Sequence, residues 1–508
     1  MYNAMFILTD LINILYIGIF IILLNIATSI HIILNKHEES VSAVLWLLTV
    51  SFLPILGTGL YILFGINRVY TKGLKIQIAN ETIMKEKDST LLNSNKLGKA
   101  SETMRNYLKQ QLAFIYKPNN IKEYSDFNKM LDHYMPESTM IEGNNIELLC
   151  DGTQAYPKML HAIKNAKSFI HLQSYIIVND NFGKQLFSLL KTKANEGIEI
   201  KVIYDRFGSF YTFFSLFFKH FVSNIQNFQI KSFSLKPPWT LQLRNHRKLL
   251  IVDGKIAFLG GINISSENDK RLSPKKKHTH DLHSKVSGPI VAELQFSFLR
   301  DWHCISKTKP EDLLINKYFP KLKKEGEHII RLITSGPGQK YEATEKCFIA
   351  AASAAKQSLW IMSPYFVPDK AYCKLLCASA ARGVDVRIIL PAKSDHFITT
   401  QAAKSLYKPL LEGGVKIYEK QGDFLHAKAS LIDSKIARLG SSNCDIRSFR
   451  LNFELDIIVQ EGNFSLKLLE QFQYEFKNSK QILLGNINNK TIHKQLTENF
   501  CALFTPIL

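Results

Sequence analysis

The chain has 508 residues, too many for one hydrophobic core, and this length predicts two or three folded units plus whatever lies outside them. Its 64 Lys and Arg against 44 Asp and Glu leave a net charge of +20 spread along the chain, which implies an anionic partner and excludes a single basic tail as its source. The 7 cysteines, scattered and odd in number, exclude a disulfide framework and a CxxC zinc knuckle.

The first elements decide between the two anionic partners that charge alone allows, nucleic acid and an acidic membrane. Residues 11–34 ("LINILYIGIFIILLNIATSIHIIL") form an uncharged apolar run long enough to cross a bilayer, and residues 41–65 ("VSAVLWLLTVSFLPILGTGLYILFG") form another. Joined by "NKHEES", they predict a transmembrane hairpin over residues 1–70, with Trp46 and Tyr61 as interfacial anchors and Pro54, Gly57 and Gly59 tolerated inside the second helix. A cleaved signal is disfavoured, because no basic stretch precedes the first run and no small-residue cleavage site follows it. Arg68, Lys72 and Lys75 follow the second run, whereas the connecting loop sets Lys36 against Glu38 and Glu39. The positive-inside rule then predicts a multi-pass protein of the cytoplasmic (inner) membrane with everything beyond the hairpin in the cytoplasm. Anionic lipid is the expected partner, and nucleic acid is not.

A polar, helix-prone connector, residues 71–140, leads into a duplication. Residues 162–180 ("AIKNAKSFIHLQSYIIVND") share a helix-then-strand pattern with residues 350–369, and Tyr175 and Tyr365 stand at matched places in the two. Another helix and an apolar strand follow in each copy, "ANEGIEIKVIYD" at 194–205 and "AARGVDVRIILP" at 380–391. This order predicts an α/β fold of two similar sandwich lobes, residues 141–310 and 328–508, related by a pseudo-twofold.

Each lobe then carries the same short signature. "RNHRKLLIVDGKIAFLGGIN" at 244–263 and "FLHAKASLIDSKIARLGSSN" at 424–443 align without a gap: His246 with His426, Lys248 with Lys428, Asp253 with Asp433, Gly260 with Gly440, Gly261 with Ser441, Asn263 with Asn443. In an extended strand, His and Lys two apart point to one face, so a pseudo-twofold brings four such side chains to one cleft. There a neutral imidazole can attack phosphorus while a protonated one gives its proton to the departing alkoxide, and the roles then reverse. Lysines and asparagine amides can meet the growing charge on the phosphoryl oxygens, so the chemistry requires no metal and no cofactor.

"HRKLLIVD" and "HAKASLID" resemble the HxKxxxxD signature of the phospholipase D superfamily, and with the N-terminal hairpin, "RDWHC", "GSSNCDIRSFRLNFEL" and the closing "ALFTPIL" the chain is similar to bacterial cardiolipin synthases over nearly its whole length. The resemblance implies transfer of a phosphatidyl group from one phosphatidylglycerol to another, with release of glycerol, through a phosphohistidine. It further implies His246 as nucleophile and His426 as acid and then base, an order that could be reversed. Glu454 is implied to orient His246 and Asp281 to orient His426, and a hydrolase of the phospholipase D type is the alternative activity. Lys248, Lys428, Asp253 and Asp433 complete the expected catalytic set, with both aspartates expected to brace loops. Asn263, Asn443, Gly261 and Ser441 support it, the serine hydroxyl as an added donor on one side.

Two stretches depart from the pattern. Residues 211–234 lack the Gly-Val opening expected before a strand and are rich in phenylalanine, so Phe213, Phe214, Phe217, Phe218 and Phe221 form either an interfacial segment or a buried helix. "SPKKKHTH" at 273–280 is either a lipid-attracting patch or a solvated loop, and no neighbouring carboxylate or cysteine completes a metal site with its histidines.

Overall fold

The computed structural model describes residues 2–36, 40–65, 113–117, 125–136, 138–222, 225–233, 243–273, 278–336, 342–488 and 490–505. Most of the connector, the basic residues 68, 72 and 75, the lysines at 275–277 and the last three residues lie outside them. Two units form, Met1–Thr71 and Lys72–Leu508.

The N-terminal unit begins with a helix, Tyr2–Lys36, whose segment Asn13–Lys36 is long and apolar enough to cross a membrane. The second apolar run is not one continuous helix. It is broken into Ser40–Phe52, Pro54–Leu60 and a π-turn, Tyr61–Gly65. Pro54 has no N–H to give and its ring displaces the preceding turn, so the helix stops at Phe52 and Leu53 is not helical. Ile32, Ala43, Val50 and Tyr61 bury one another along the hairpin. A Cβ on Gly57 would stand 2.3 Å from the Thr49 carbonyl oxygen, so this close approach requires glycine. Tyr61 is buried, with its hydroxyl 2.9 Å from His31 Nδ1 and its ring 5.4 Å from that of Trp46.

The second unit is built on a 16-stranded sheet. Its central strands, Met140–Cys150 and His328–Ser335, run antiparallel with Ile141 opposite Ile330. Outward from the first lie Leu282–Ser287, Ile256–Gly260, Leu249–Val252, Phe169–Ser174, Glu199–Asp205 and Phe228–Phe233. Outward from the second lie Asn452–Gln460, Ile436–Gly440, Ala429–Ile432, Ser358–Met362, Asp385–Pro391 and Lys416–Lys420. The two series correspond strand for strand, so the pseudo-twofold passes between the central pair. Among the described residues, the second lobe adds an edge strand, Ser479–Ile482, that the first lobe lacks.

Strands such as Leu249–Val252 are buried at every residue, which is why they read as unbroken apolar runs. A core containing Leu259, Val286, Leu439, Ile457 and Trp302 is shared by the two lobes, and each lobe has its own core beneath its outer helices.

The phenylalanine-rich stretch takes both expected forms, one after the other. Phe217, Phe218 and Phe221 are buried against Phe187, whereas Phe210, Tyr211, Phe214 and Leu216 are exposed, Tyr211 by 88%. The strand Phe228–Phe233 forms without a Gly-Val opening, because Glu199–Asp205 offers it a parallel partner.

Candidate active site

Two short parallel pairings assemble the cleft. Arg244–Asn245 of the first lobe runs beside the start of Asn452–Gln460, and Phe424–Leu425 of the second runs beside Thr279–His280. One residue further along each pair, His246 stands beside Glu454 and His426 beside Asp281. Backbone bonds fix the crossing: the His246 N–H donates to the Phe453 carbonyl at 2.9 Å and the His426 N–H to the His280 carbonyl at 2.7 Å. Each histidine is thereby delivered to the acidic residue of the opposite lobe.

The side chains complete that exchange. His246 Nδ1 lies 3.1 and 3.0 Å from Glu454 Oε1 and Oε2, and His426 Nδ1 lies 2.6 Å from Asp281 Oδ2. A carboxylate on Nδ1 selects the tautomer whose Nε2 keeps its lone pair. Glu454 also accepts from the Ser441 hydroxyl at 2.5 Å, the Ser448 hydroxyl at 2.9 Å and the Asn452 amide at 3.2 Å. Asp281 accepts the Leu282 N–H at 2.8 Å and lies 3.6 Å from Lys428 Nζ.

Burial and positive charge set the protonation states. Burial, then the charges of Lys248 and Lys428, hold His246 well below the usual imidazole value. Burial and Lys428 lower His426 as well, but Asp281 pulls it back up. Burial, followed by the charge of Lys428, brings Lys248 down to about 7, and burial brings Lys428 to about 8 against the pull of Asp281. Glu454 is raised by burial, with Lys248 opposing. Asp281 also suffers burial, yet Lys428 and His426 outweigh it and hold the carboxyl below its ordinary value. The two ammonium groups turn to carbonyls, Lys248 Nζ donating to His246 O at 2.6 Å and Lys428 Nζ to His426 O. An entering anion would stabilise both lysines and both imidazolium forms.

The remaining expected residues divide. Asn263 uses its side-chain oxygen to accept the Ile176 N–H at 3.2 Å, which ties it to the loop that carries Tyr175. Among the described residues, Asn443 Oδ1 is buried with no hydrogen-bond partner. Ser441 spends its hydroxyl on Glu454, so it braces the carboxylate instead of adding a donor for substrate. Gly261 has no such freedom: a Cβ there would stand 2.0 Å from Asp281 Oδ1.

Asp253 and Asp433 are not with the imidazoles. Each occupies a tight turn at the far end of the signature strand, with φ of 53° and 50°, followed by Gly254 at 64° and Ser434 at 56°. Asp253 accepts the N–H groups of Lys167, Ser168 and Phe169, and Asp433 those of Lys356, Gln357 and Ser358. They hold a loop of their own lobe, which removes them from the catalytic set.

Several contributors escaped the sequence. Tyr175 stands edge-on to His246 at 5.0 Å and Tyr365 to His426 at 6.4 Å; their matched places in the repeat were the available signal. Arg247, fully buried, forks onto Asp301 at 2.7 Å and reaches the Glu454 and Ser335 carbonyls, stitching the lobes together. His278 and His280 are buried, not loop residues in solvent. Carboxylates distant in sequence do meet them: Asp151 binds His280 Nδ1 at 2.8 Å and the Asp281 N–H at 2.8 Å, and Glu475 lies 3.1 Å from His280 Nε2. Burial opposes protonation of His280, but these two acids raise it to about 10, so the cluster is an ion-pair network. No metal-holding group of His, Cys, Asp and Glu occurs among the described residues.

Comparison with known proteins places this geometry. A family model described as cardiolipin synthase, phospholipase D-like domain, matches residues 159–302 and 348–478. The chain belongs to that family. A second model, the phospholipase D-nuclease N-terminal region, matches residues 23–65. A cardiolipin synthase of Alkalihalophilus pseudofirmus is 32% identical over 94% of this chain and 91% of its own length. One from Clostridium perfringens is 33% identical over 91% of this chain and 93% of its own. The crystal structure of phosphatidylserine synthase from Haemophilus influenzae shares the fold, with a TM-score of 0.60 at 14% identity over 75% of this chain and 99% of that one. Family membership and the apolar N-terminal helix together associate the chain with membranes.

Proposed function

We propose that the protein is a membrane-bound cardiolipin synthase that transfers a phosphatidyl group between two phosphatidylglycerol molecules. The observation that carries this reading is the reciprocal crossing, in which two buried imidazoles from two lobes are each held through Nδ1 by the other lobe's carboxylate. His246 Nε2 attacks phosphorus; a P–N bond forms, the P–O bond to glycerol breaks, and the leaving oxygen takes a proton from His426 Nε2. Glycerol departs. The hydroxyl of a second phosphatidylglycerol then gives its proton to His426 and attacks phosphorus, breaking the P–N bond and releasing cardiolipin. Lys248, Lys428, Asn263 and Asn443 stabilise the phosphoryl oxygens. The electrostatic surroundings support this order: His246 is held well below the usual imidazole value, and Asp281 opposes the lowering of His426.

The hairpin of residues 1–70 anchors the protein as a multi-pass protein of the cytoplasmic membrane, with the connector 71–140 and the lobes 141–310 and 328–508 in the cytoplasm. Exposed Phe207, Phe210, Tyr211, Phe214 and Leu216 fit a lipid surface beside the first lobe. Purified protein with headgroup-labelled phosphatidylglycerol, in detergent with chelator, is expected to yield cardiolipin and glycerol in equal amounts. Phosphatidic acid as main product would favour the hydrolase, and strict dependence on a divalent metal would defeat the mechanism. Maleimide labelling of single cysteines in intact cells tests the topology.

A further inference from the structure

The last helix, Ile492–Ala502, carries its apolar residues on the outside. Its buried face holds Cys501, packed on Val367, Ala402 and Ala403, and Glu498, which accepts from Lys490 Nζ at 2.7 Å. Ile492, Leu496 and Phe500 recur every four residues on the other flank, each more than 60% exposed, and Leu503 just beyond the helix is exposed as well. A helix that served only to close the core would turn these side chains inward. The helix beneath it, Phe397–Ser405, starts at the cleft: the Tyr365 ring stands 6.4 Å from His426 and 5.4 Å from His396, and its hydroxyl donates to Asp395 at 2.7 Å. Phe397 and Ile398 follow at once, both exposed. The first lobe has the same arrangement. Tyr175 stands edge-on to His246, its carbonyl accepts the Ser209 hydroxyl at 3.2 Å, and exposed Phe210, Tyr211 and Phe214 follow. Both segments leave the ends of equivalent strands, Glu199–Asp205 and Asp385–Pro391, so a twofold through the cleft turns one onto the other on the same side of the molecule.

Charge points to what covers the second face. Residues 206–222 and 396–408 contain no carboxylate, and within 490–505 the single one is Glu498, buried and paired. The same stretches carry Arg206, Lys219, Lys404 and Lys494. Apolar side chains among cations, with acids withdrawn from the surface, complement anionic lipid, whereas the rim of a protein partner would call for both signs. We propose that Ile492, Leu496, Phe500 and Leu503, with Phe397 and Ile398, enter the membrane surface beside the second lobe, matching the phenylalanine-rich segment beside the first, and that the two contacts together hold the mouth of the cleft on the bilayer. The anchoring hairpin alone would leave the cleft's orientation free; a contact on each side of the mouth fixes it toward the headgroups. This rests on the transferase reading above, which makes the substrate a membrane lipid.

Because the hairpin already anchors the protein, the test reads the contact itself. The full chain is placed in phosphatidylglycerol-containing vesicles whose acyl chains are brominated, and the emission added by Leu496→Trp over the parent protein is compared with that added by Ala381→Trp, an exposed position at the opposite end of the same lobe's strands. Bromine is expected to remove most of the added emission at 496 and little of it at 381. In Leu496→Ser with Phe500→Ser, the ratio of cardiolipin made from vesicle phosphatidylglycerol to that made from short-chain phosphatidylglycerol dispersed as monomers is expected to fall about tenfold. Equal quenching at the two positions, an unchanged ratio, or shielding at 496 that follows protein concentration instead of brominated lipid, as a second copy would give, would each overturn the proposal. A wild-type protein quenched as expected but making no cardiolipin from either substrate would instead defeat the transferase reading.

Discussion

The half-site of His246 and that of His426 share a backbone and differ in what stands behind the carboxylate. Glu454 collects two hydroxyls and an amide, whereas the shorter Asp281 takes a backbone N–H and the proximity of Lys428. The same contrast explains an adjacent position. In the first lobe the Asp281 oxygen occupies the space of a side chain at Gly261; in the second, Ser441 fills that space and donates to Glu454. The repeat supplies a symmetric frame, and a few side chains give the two imidazoles different surroundings, in line with the proposed division into nucleophile and acid.

The sharpest way to break the comparison is to remove either imidazole. His246→Ala and His426→Ala are each expected to lower cardiolipin formation by about 10³-fold or more, measured with labelled phosphatidylglycerol. If one variant kept substantial activity, the half-sites would not be interdependent. Next come the carboxylates: Glu454→Gln and Asp281→Asn should each cost on the order of 10²-fold in kcat, because the amide no longer enforces the tautomer. Asp281→Asn should be the more severe, since it also removes the charge that supports an imidazolium at His426.

Exchanging the supports tests the difference itself. Gly261→Ser forces a side chain against the Asp281 carboxylate and should cost tenfold or more, while Ser441→Gly loses one hydrogen bond worth about 1 kcal/mol and should cost less. The lysines give a pH signature. Their values of about 7 and about 8 mean that the charged forms are lost as pH rises through that range, so kcat/KM should decline on the alkaline side. Lys248→Arg, which stays charged, should move the Lys248 contribution to that limb upward. The smallest effect on activity belongs to the signature aspartates. Asp253→Asn or Asp433→Asn should destabilise by about 1 to 2 kcal/mol in denaturant unfolding with kcat little changed, because they bind loop N–H groups and not substrate.

Much of this was legible in the chain because it was written twice. The doubled HxKxxxxD pointed to the family, and the two similar α/β lobes followed from helix and strand patterns repeated in order, although the strand order did not. What escaped depends on pairings between distant segments. Nothing local ties Asp151 to His280, or Glu475 to either, and the sequence near the histidines at 278 and 280 reads as a polar loop. The ion-pair network formed from them lies directly behind Asp281. Arg247 was invisible as a clamp because its partner Asp301 lies a full helix away and its counterpart is Ala427. The second apolar run had the composition of a span, yet one proline decides where its helix stops.

The stereochemical course at phosphorus tests the two-imidazole relay most directly. With phosphatidylglycerol made chiral at phosphorus, two successive in-line displacements predict that cardiolipin retains the donor's configuration. Inversion would mean one displacement, with the acceptor attacking the donor directly and no phosphohistidine between them.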